Sequence, residues 1–461
     1  MNLRPLYPLV CGVVIATVTG CDDDDVVGGL ISDVTLSEEE IEVNESIENV
    51  ESVSFKGGKT LTLDVGVGSG AFHFSEDSAD EFFTITDRGP TISCAESAAV
   101  LGVTDFCMNN GAVDTTGQIF AVPSFTPTIY KFNIDTGGIA GTKVGYEVIQ
   151  TIKLLDLDDQ PISGMPNLST ITTTENGYDN QGNLQGFDPE GVDPEALVRL
   201  PNQSFWVAEE YSPSLIYVNA KGRILGRFVP NGVENDLANA NYRVTGSLPA
   251  ILAKRQTNRG IESLAVSPDG QFLYFMMESP LANPDSAAFE SSRYVRLFKI
   301  SLQSGGELDS VVGEYVYELD KPDTFTGDNT SQQSDVKVSE MVALGTDKLV
   351  ILERVTRHTK LYRILISADT TNILGTEWDT EATSQSLSLE TLPDLAAQGI
   401  TPLSKTKVFD SLSEKADLMS NVEGMAVLNS DYVALINDND FGVEGIKTSI
   451  TILNIAEQLN K

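Results

Sequence analysis

The sequence predicts an all-β protein, a β-propeller of five recognisable blades, and three observations carry that prediction. A pattern of apolar run, polar turn and apolar run recurs in five copies; another strand-like run follows each copy; and every copy carries an acid where its second run ends. A repeated three- to four-stranded antiparallel meander is the pattern of blades stacked around a channel.

The chain opens with MNLRPLYPLVCGVVIATVTG, which has one arginine, no acid and an apolar stretch too short for an ordinary membrane span. Residues 1–20 read as an export signal. Val18-Thr19-Gly20-Cys21 looks like the lipobox of bacterial lipoproteins, in which Cys21 would carry lipid. DDDD and then SEEEIEVNESIENVES follow, an acidic stretch with few aromatics, expected to be a flexible tether over 21–50. The propeller is expected over 51–461, a monomer held to the membrane of the cell envelope, on its periplasmic or surface side, by lipidated Cys21. Cys11 would leave with the signal. An exported chain is expected to bridge the remaining pair, Cys94 and Cys107.

The copies come in order. GSGAFHFSEDSADEFFTITDRG (68–89) has Ser69-Gly70 in front and closes on Asp87. In PEGVDPEALVRLPNQSFWVAEEY (189–211), Glu190 leads, and Glu209 and Glu210 close. NRGIESLAVSPDGQFLYFMMESPL (258–281) has Glu262 before its first run, SPDG at the turn and Glu278 after the second run. VSEMVALGTDKLVILER (338–354) runs from Glu340 to Glu353, and NVEGMAVLNSDYVALINDNDF (421–441) from Glu423 to Asp438. Third strands are expected in TIYKFNI, SLIYV, RYVRLFKI, KLYRILI and SITILNI, and fourth strands in GYEVIQTIKLL, RILGRFV and GEYVYEL. The last copy has no fourth strand of its own, so VSF or TLTLDV, around 53–65, is expected to close the ring. The long segment 367–405 leaves room for a degenerate sixth blade.

Hairpin strands are antiparallel, so the residue before the first and the residue after the second lie side by side at the open end. If the first strands line a channel, these acids converge at one mouth. Crowded carboxylates raise one another's pKa unless they share a cation, and hard oxygen ligands suit calcium. The expected ligands are Asp87, Glu190, Glu209, Glu262, Glu278, Glu340, Glu353, Glu423 and Asp438. Turn chemistry also favours Glu-Gly and Pro-Asp-Gly, so some of these acids are expected to be plain turn residues.

The formal charge of −37, which becomes −38 once Arg4 leaves, excludes nucleic acid as a partner and favours cations. His73 and His358 are the only histidines, too few for a multi-histidine zinc site. G-x-S-x-G, P-loop and Rossmann fingerprints are absent, and GVGSG at 66–70 has the wrong spacing for a nucleophile elbow. Near the expected mouth, Arg88 and Arg259 are candidates to grip an anion, whereas Arg354 is expected to pair with an acid.

The stretches ITDRGP, FDPEGVDPEALV, NRGIESLAVSPDGQFLYFMMESPL, LVILERV, KLYRI and NVEGMAVL resemble an exported bacterial family described as phytase-like, with esterase-like activity. The resemblance covers roughly residues 50–455. It implies hydrolysis of phosphate or carboxylic esters, by analogy with calcium-dependent propeller phytases. The chain departs from the family pattern at IES, where Glu-Gly is usual, and at NDND, where Ser-Asp-Asn is usual. Two readings follow. In one, calcium held by the acids activates a small anionic ester; in the other, the mouth docks a protein or glycan around structural calcium.

Overall fold

Runs of β-branched and aromatic residues broken by Pro-Asp-Gly and Asn-Ser-Asp turns build an all-β architecture of successive antiparallel sheets. A computed structural model describes residues 34–47, 52–137, 143–383 and 386–460; the predicted signal and Cys21 lie outside the described residues.

Sheet 1 contains Gly70–Phe72, Glu81–Ile85, Thr128–Asp135 and Gly145–Lys153. Sheet 2 contains Pro194–Arg199, Phe205–Glu209, Ser214–Val218 and Ile224–Pro230, with Arg243–Leu248 added in parallel at its outer edge. Sheet 3 is built of Ile261–Val266, Phe272–Met277, Tyr294–Leu302 and Leu308–Glu318, and sheet 4 of Lys337–Gly345, Lys348–Arg354, Thr359–Leu365 and Ser404–Asp410. Sheet 5 takes Val422–Val427, Val433–Asn437 and Thr448–Leu453 from the end of the sequence and Glu39–Val43 from its beginning. The first strands of sheets 1 to 5 neighbour one another in cyclic order, so the fifth lies beside the first. Buried side chains of adjacent sheets pack face to face, and one such cluster joins Trp206 of sheet 2, Phe275 and Phe298 of sheet 3 and Ile351 of sheet 4.

Glycines let the cycle close tightly. A Cβ on Gly68 would fall 1.9 Å from the Asn437 carbonyl oxygen of sheet 5, and one on Gly70 would fall 2.8 Å from Ala196 Cα of sheet 2. The GVGSG string therefore serves backbone-to-backbone approach.

Three expectations are corrected. The fourth strand of sheet 5 is EEIEV, 39–43, and not VSF or TLTLDV; among the described residues Ser52–Ser54 and Thr60–Thr62 pair only with each other. The stretch expected as tether is thus folded from at least residue 34, because Ile41 and Val43 alternate with glutamates and bury one face of an edge strand. Segment 367–403 holds no strand among its described residues: it forms short 3-10 turns whose Ile373, Leu389, Leu392 and Ile400 cover Val316 of sheet 3.

Cys94 and Cys107 are disulfide-bonded in the excursion between the second and third strands of sheet 1.

Candidate metal centre

One shared irregularity positions the site. In sheet 2 Pro194 pairs with Glu209 and Ala196 with Ala208, so Glu195 is an extra residue on its strand. The same shift leaves Glu262 extra in sheet 3, Ser339 in sheet 4 and Glu423 in sheet 5. A β-bulge re-aims the side chain it carries, and here it sends the carboxylates of Glu195, Glu262 and Glu423 to one point, with oxygens within 4.8 Å of one another.

The residue that follows each second strand completes the patch. Glu210, Glu278 and Asp438 occupy equivalent positions, each donating its backbone N–H to the residue just before the first strand of its own sheet: Asp193, Gly260 and Asn421, at 3.0, 2.8 and 2.9 Å. Asp193, Glu195 and Glu210 form a second group of oxygens within 4.8 Å, and Glu210, Glu262 and Glu278 a third. Since Glu195, Glu210 and Glu262 each belong to two groups, the six carboxylates are continuous. Sheet 4 breaks the series: Arg354 pairs with Lys337 in the same row, donates from Nε to Ser339 Oγ at 3.0 Å and forms an ion pair with Glu423.

Most of these groups are buried, and acids outnumber cations. Glu278 contacts Arg259 Nη1 at 2.5 Å and Lys337 Nζ at 2.9 Å. Burial pushes the Glu278 carboxyl up, but those two cations outweigh it and hold the group below the ordinary carboxylate range. Glu195, Glu210 and Glu262 go the other way: burial first, then the neighbouring acids, push each well above that range. Asp438 is raised well above its usual value by burial and by Asp440 and Glu423, and Asp87 by burial and by Asp193. Glu278 Oε2 and Asp438 Oδ1 are buried without a hydrogen-bond partner among the described residues. Hard, crowded oxygens with unfilled lone pairs fit a divalent cation.

Of the acids expected from sequence, Glu262, Glu278 and Glu423 meet in this patch, with Asp438 and Asp87 at its edge. The other four lie elsewhere. Glu190 precedes the sheet 2 strand, and its carboxylate accepts the Asn241 N–H at 2.5 Å on the outer side. Glu209 turns away to Arg227 Nη2 at 3.1 Å, and Glu353 turns to Tyr317 Oη at 2.7 Å and Lys405 Nζ at 2.9 Å. Both are one residue out of register with the site, and a one-residue slip moves a strand side chain to the opposite face.

Glu340 sits among the first strands. Its carboxylate accepts N–H groups from Ala71 at 3.1 Å and Met341 at 2.9 Å, with the Leu264 and Met425 amides also donating, and burial pushes its pKa well up. Arg88 is committed: its guanidinium holds Glu175 at 2.7 Å, Asp193 at 3.1 Å and Asn258 Oδ1 at 2.6 Å. Arg259 is the more accessible of the two, with 23% of its side chain exposed. Neither histidine is in the patch: His358 contacts Asp410 Oδ1 at 2.9 Å, and His73 lies toward the turn end of sheet 1.

Asp193, Glu195 and Lys337 were not singled out in the sequence. PEALV could have been aligned with IESLAV and VEGMAV, which would have replaced Glu190 by Glu195 as the leading acid.

A secreted protein of the fungus Arthroderma benhamiae, itself uncharacterized, is 24% identical over 237 residues, a match that covers 45% of this chain and 45% of that protein. The chain thus spans about half the length of the curated relative it matches. Among solved structures, the Pseudomonas aeruginosa periplasmic gluconolactonase PpgL is 11% identical, with 91% of this chain and 97% of that one covered at a TM-score of 0.32. The PQQ-bound aldose sugar dehydrogenase of Streptomyces coelicolor is 9% identical, with 91% and 99% covered at a TM-score of 0.30. Both likenesses are too distant to bear on the chemistry. Residues 70–441, which span the first strand of sheet 1 to the end of the acidic patch, match the family model described as phytase-like, esterase-like activity of phytase, and the chain belongs to that family.

Proposed function

We propose that the five sheets are the blades of a closed propeller and that the acidic patch at its open-end mouth binds calcium to hydrolyse a small phosphate or carboxylic ester. The observation that carries this reading is the continuous run Asp193, Glu195, Glu210, Glu262, Glu278 and Glu423, with the unpartnered Glu278 Oε2 inside it. Glu195, Glu210 and Glu262 would hold the ion, since each is shared between groups. Bound there, a divalent cation supplies Lewis-acid polarisation of the ester oxygen. Arg259 orients the anion while remaining anchored to Glu278, and Arg88 stiffens the mouth by tying Asp193 to Glu175. Cys21 anchors the body to the envelope membrane through its lipid; Cys21→Ser is expected to release it and abolish fatty-acid labelling.

The commitment of Arg88 favours a second reading, a docking propeller with structural calcium. One experiment separates them. The purified protein is screened against phosphomonoesters, phosphodiesters and short acyl esters with calcium or chelator, while its unfolding temperature is followed. Calcium-dependent turnover lost in Glu262→Gln supports the hydrolase. A calcium-dependent rise in unfolding temperature without turnover supports docking, and no rise at millimolar calcium removes both.

A further inference from the structure

We propose that the opposite end of the channel is a separate binding site, for a medium-chain monocarboxylate. The turn-end halves of the first strands enclose a cavity of about 270 Å³, walled by Leu264, Val266, Met341, Ala343, Met425 and Val427. Glu340, next to the lining residue Met341, is buried among the same first strands. Its carboxyl takes backbone N–H groups from Ala71, Met341, Leu264 and Met425, all four of which line the cavity, whereas none of the carboxylates of the acidic patch does. The two ends are therefore different chemical environments on one axis.

The cavity's rim carries a cation with unused donors. Arg199, its side chain 17% exposed, stands with its guanidinium 4.6 Å from the Phe74 ring and 5.4 Å from the Phe83 ring. Its sole ion pair among the described residues is a 3.6 Å approach to Asp77, and it makes no hydrogen bond there. Asp77 already has Lys131 Nζ at 3.0 Å, which also contacts Glu81 at 2.5 Å. Lys131 thus pairs with both Asp77 and Glu81, and the fork of N–H donors on Arg199 makes no hydrogen bond to either acid. A planar, partly desolvated guanidinium pairs best with a carboxylate, and an apolar cavity below it takes an alkyl chain. Glu76 on the same rim adds negative charge and disfavours a dianionic phosphate monoester relative to a monocarboxylate. The volume suits a single chain and not a diacyl lipid.

The test is calorimetric titration of the intact purified protein with octanoate and with octanol, in chelator so that the acidic patch plays no part. Octanoate is expected to bind saturably at one site and more tightly than octanol. Arg199→Gln should weaken octanoate tenfold or more, the scale of one charge-assisted hydrogen bond, and leave octanol unchanged. Val266→Trp should fill the cavity and abolish binding of both. Glu262→Gln should leave both unchanged, which keeps this outcome distinct from the fate of the hydrolase reading. Absence of octanoate binding to the parent overturns the proposal. So does equal binding of octanoate and octanol, or an octanoate affinity that survives Arg199→Gln. If Val266→Trp does not fold, the Arg199→Gln comparison decides alone.

Discussion

Glu209 and Glu210 are chain neighbours at the end of one strand, and their surroundings differ in kind. Glu209 is balanced: it pairs with Arg227 and accepts the Ser212 N–H and the Ser214 hydroxyl, while Arg227 also donates to Gly191 O and Asn167 Oδ1. Glu210 faces Asp193, Glu262 and Glu278 across a patch where carboxylates outnumber cations. Both are buried, so burial does not distinguish the two acids. Charge balance does: the first network is complete within the fold, and the second is left short of positive charge.

Breaking each side tests the contrast. The largest effect is expected on the balanced side, where Arg227→Met leaves Glu209 buried and alone and should cost about 3–5 kcal/mol in urea denaturation. An unchanged stability would erase the distinction.

An intermediate case gives the next effect. Arg296 lies between Glu314 at 2.5 Å and Glu390 at 2.7 Å, one cation for two acids, and Glu314 Oε2 is unpartnered. Burial pushes the Glu314 carboxyl from 4.5 up to about 7, against the pull of Arg296 and with Asp379 adding to the rise. A raised folded-state pKa means that the folded chain keeps a proton which the unfolded chain releases. The associated stability is full below the unfolded value of 4.5 and is lost as pH climbs to the folded value of about 7. Up to about 3 kcal/mol should disappear over that window, and Glu314→Gln should flatten the profile.

On the unbalanced side the sign reverses. Without calcium, Glu262→Gln should stabilise by about 1 kcal/mol through relief of repulsion, and it should shrink the calcium-induced rise in unfolding temperature. A loss of stability in chelator would mean that Glu262 is paired in a way the geometry does not show. The smallest effect is expected at Glu190→Gln, outside the patch: within about 0.5 kcal/mol of the parent, with calorimetric calcium affinity unchanged.

Strand runs were legible because alternation and turn residues are local signals, and the third strands of all five sheets lie where TIYKFNI, SLIYV, RYVRLFKI, KLYRILI and SITILNI stand. The site was legible only to within a residue. Glu262, Glu278 and Glu423 stand in clean repeats, where the leading acid falls on the bulge and Glu278 directly follows its second strand. Glu209 and Glu353 stand inside their second strands, one position before the row of the patch, and Glu190 precedes the strand whose bulge carries Glu195; neither offset leaves a mark in composition. The closing strand was hidden for another reason. EEIEV sits in an acidic run, and its charge suits an outer edge as well as it suits a tether.

Sheet 5 joins the extremes of the sequence: Glu39 pairs with Ile452 and Val43 with Thr448, and Asn454 donates to Glu38 across 416 residues. Contacts of such separation are slow to form, because the intervening loop must be ordered before they repay its entropy. The early strand has no sheet partner until Thr448–Leu453 is in place beside it. The cycle of sheets acts as a belt whose buckle is its most distant contact, and Glu423 stands beside Glu195 and Glu262 only when sheet 5 has formed.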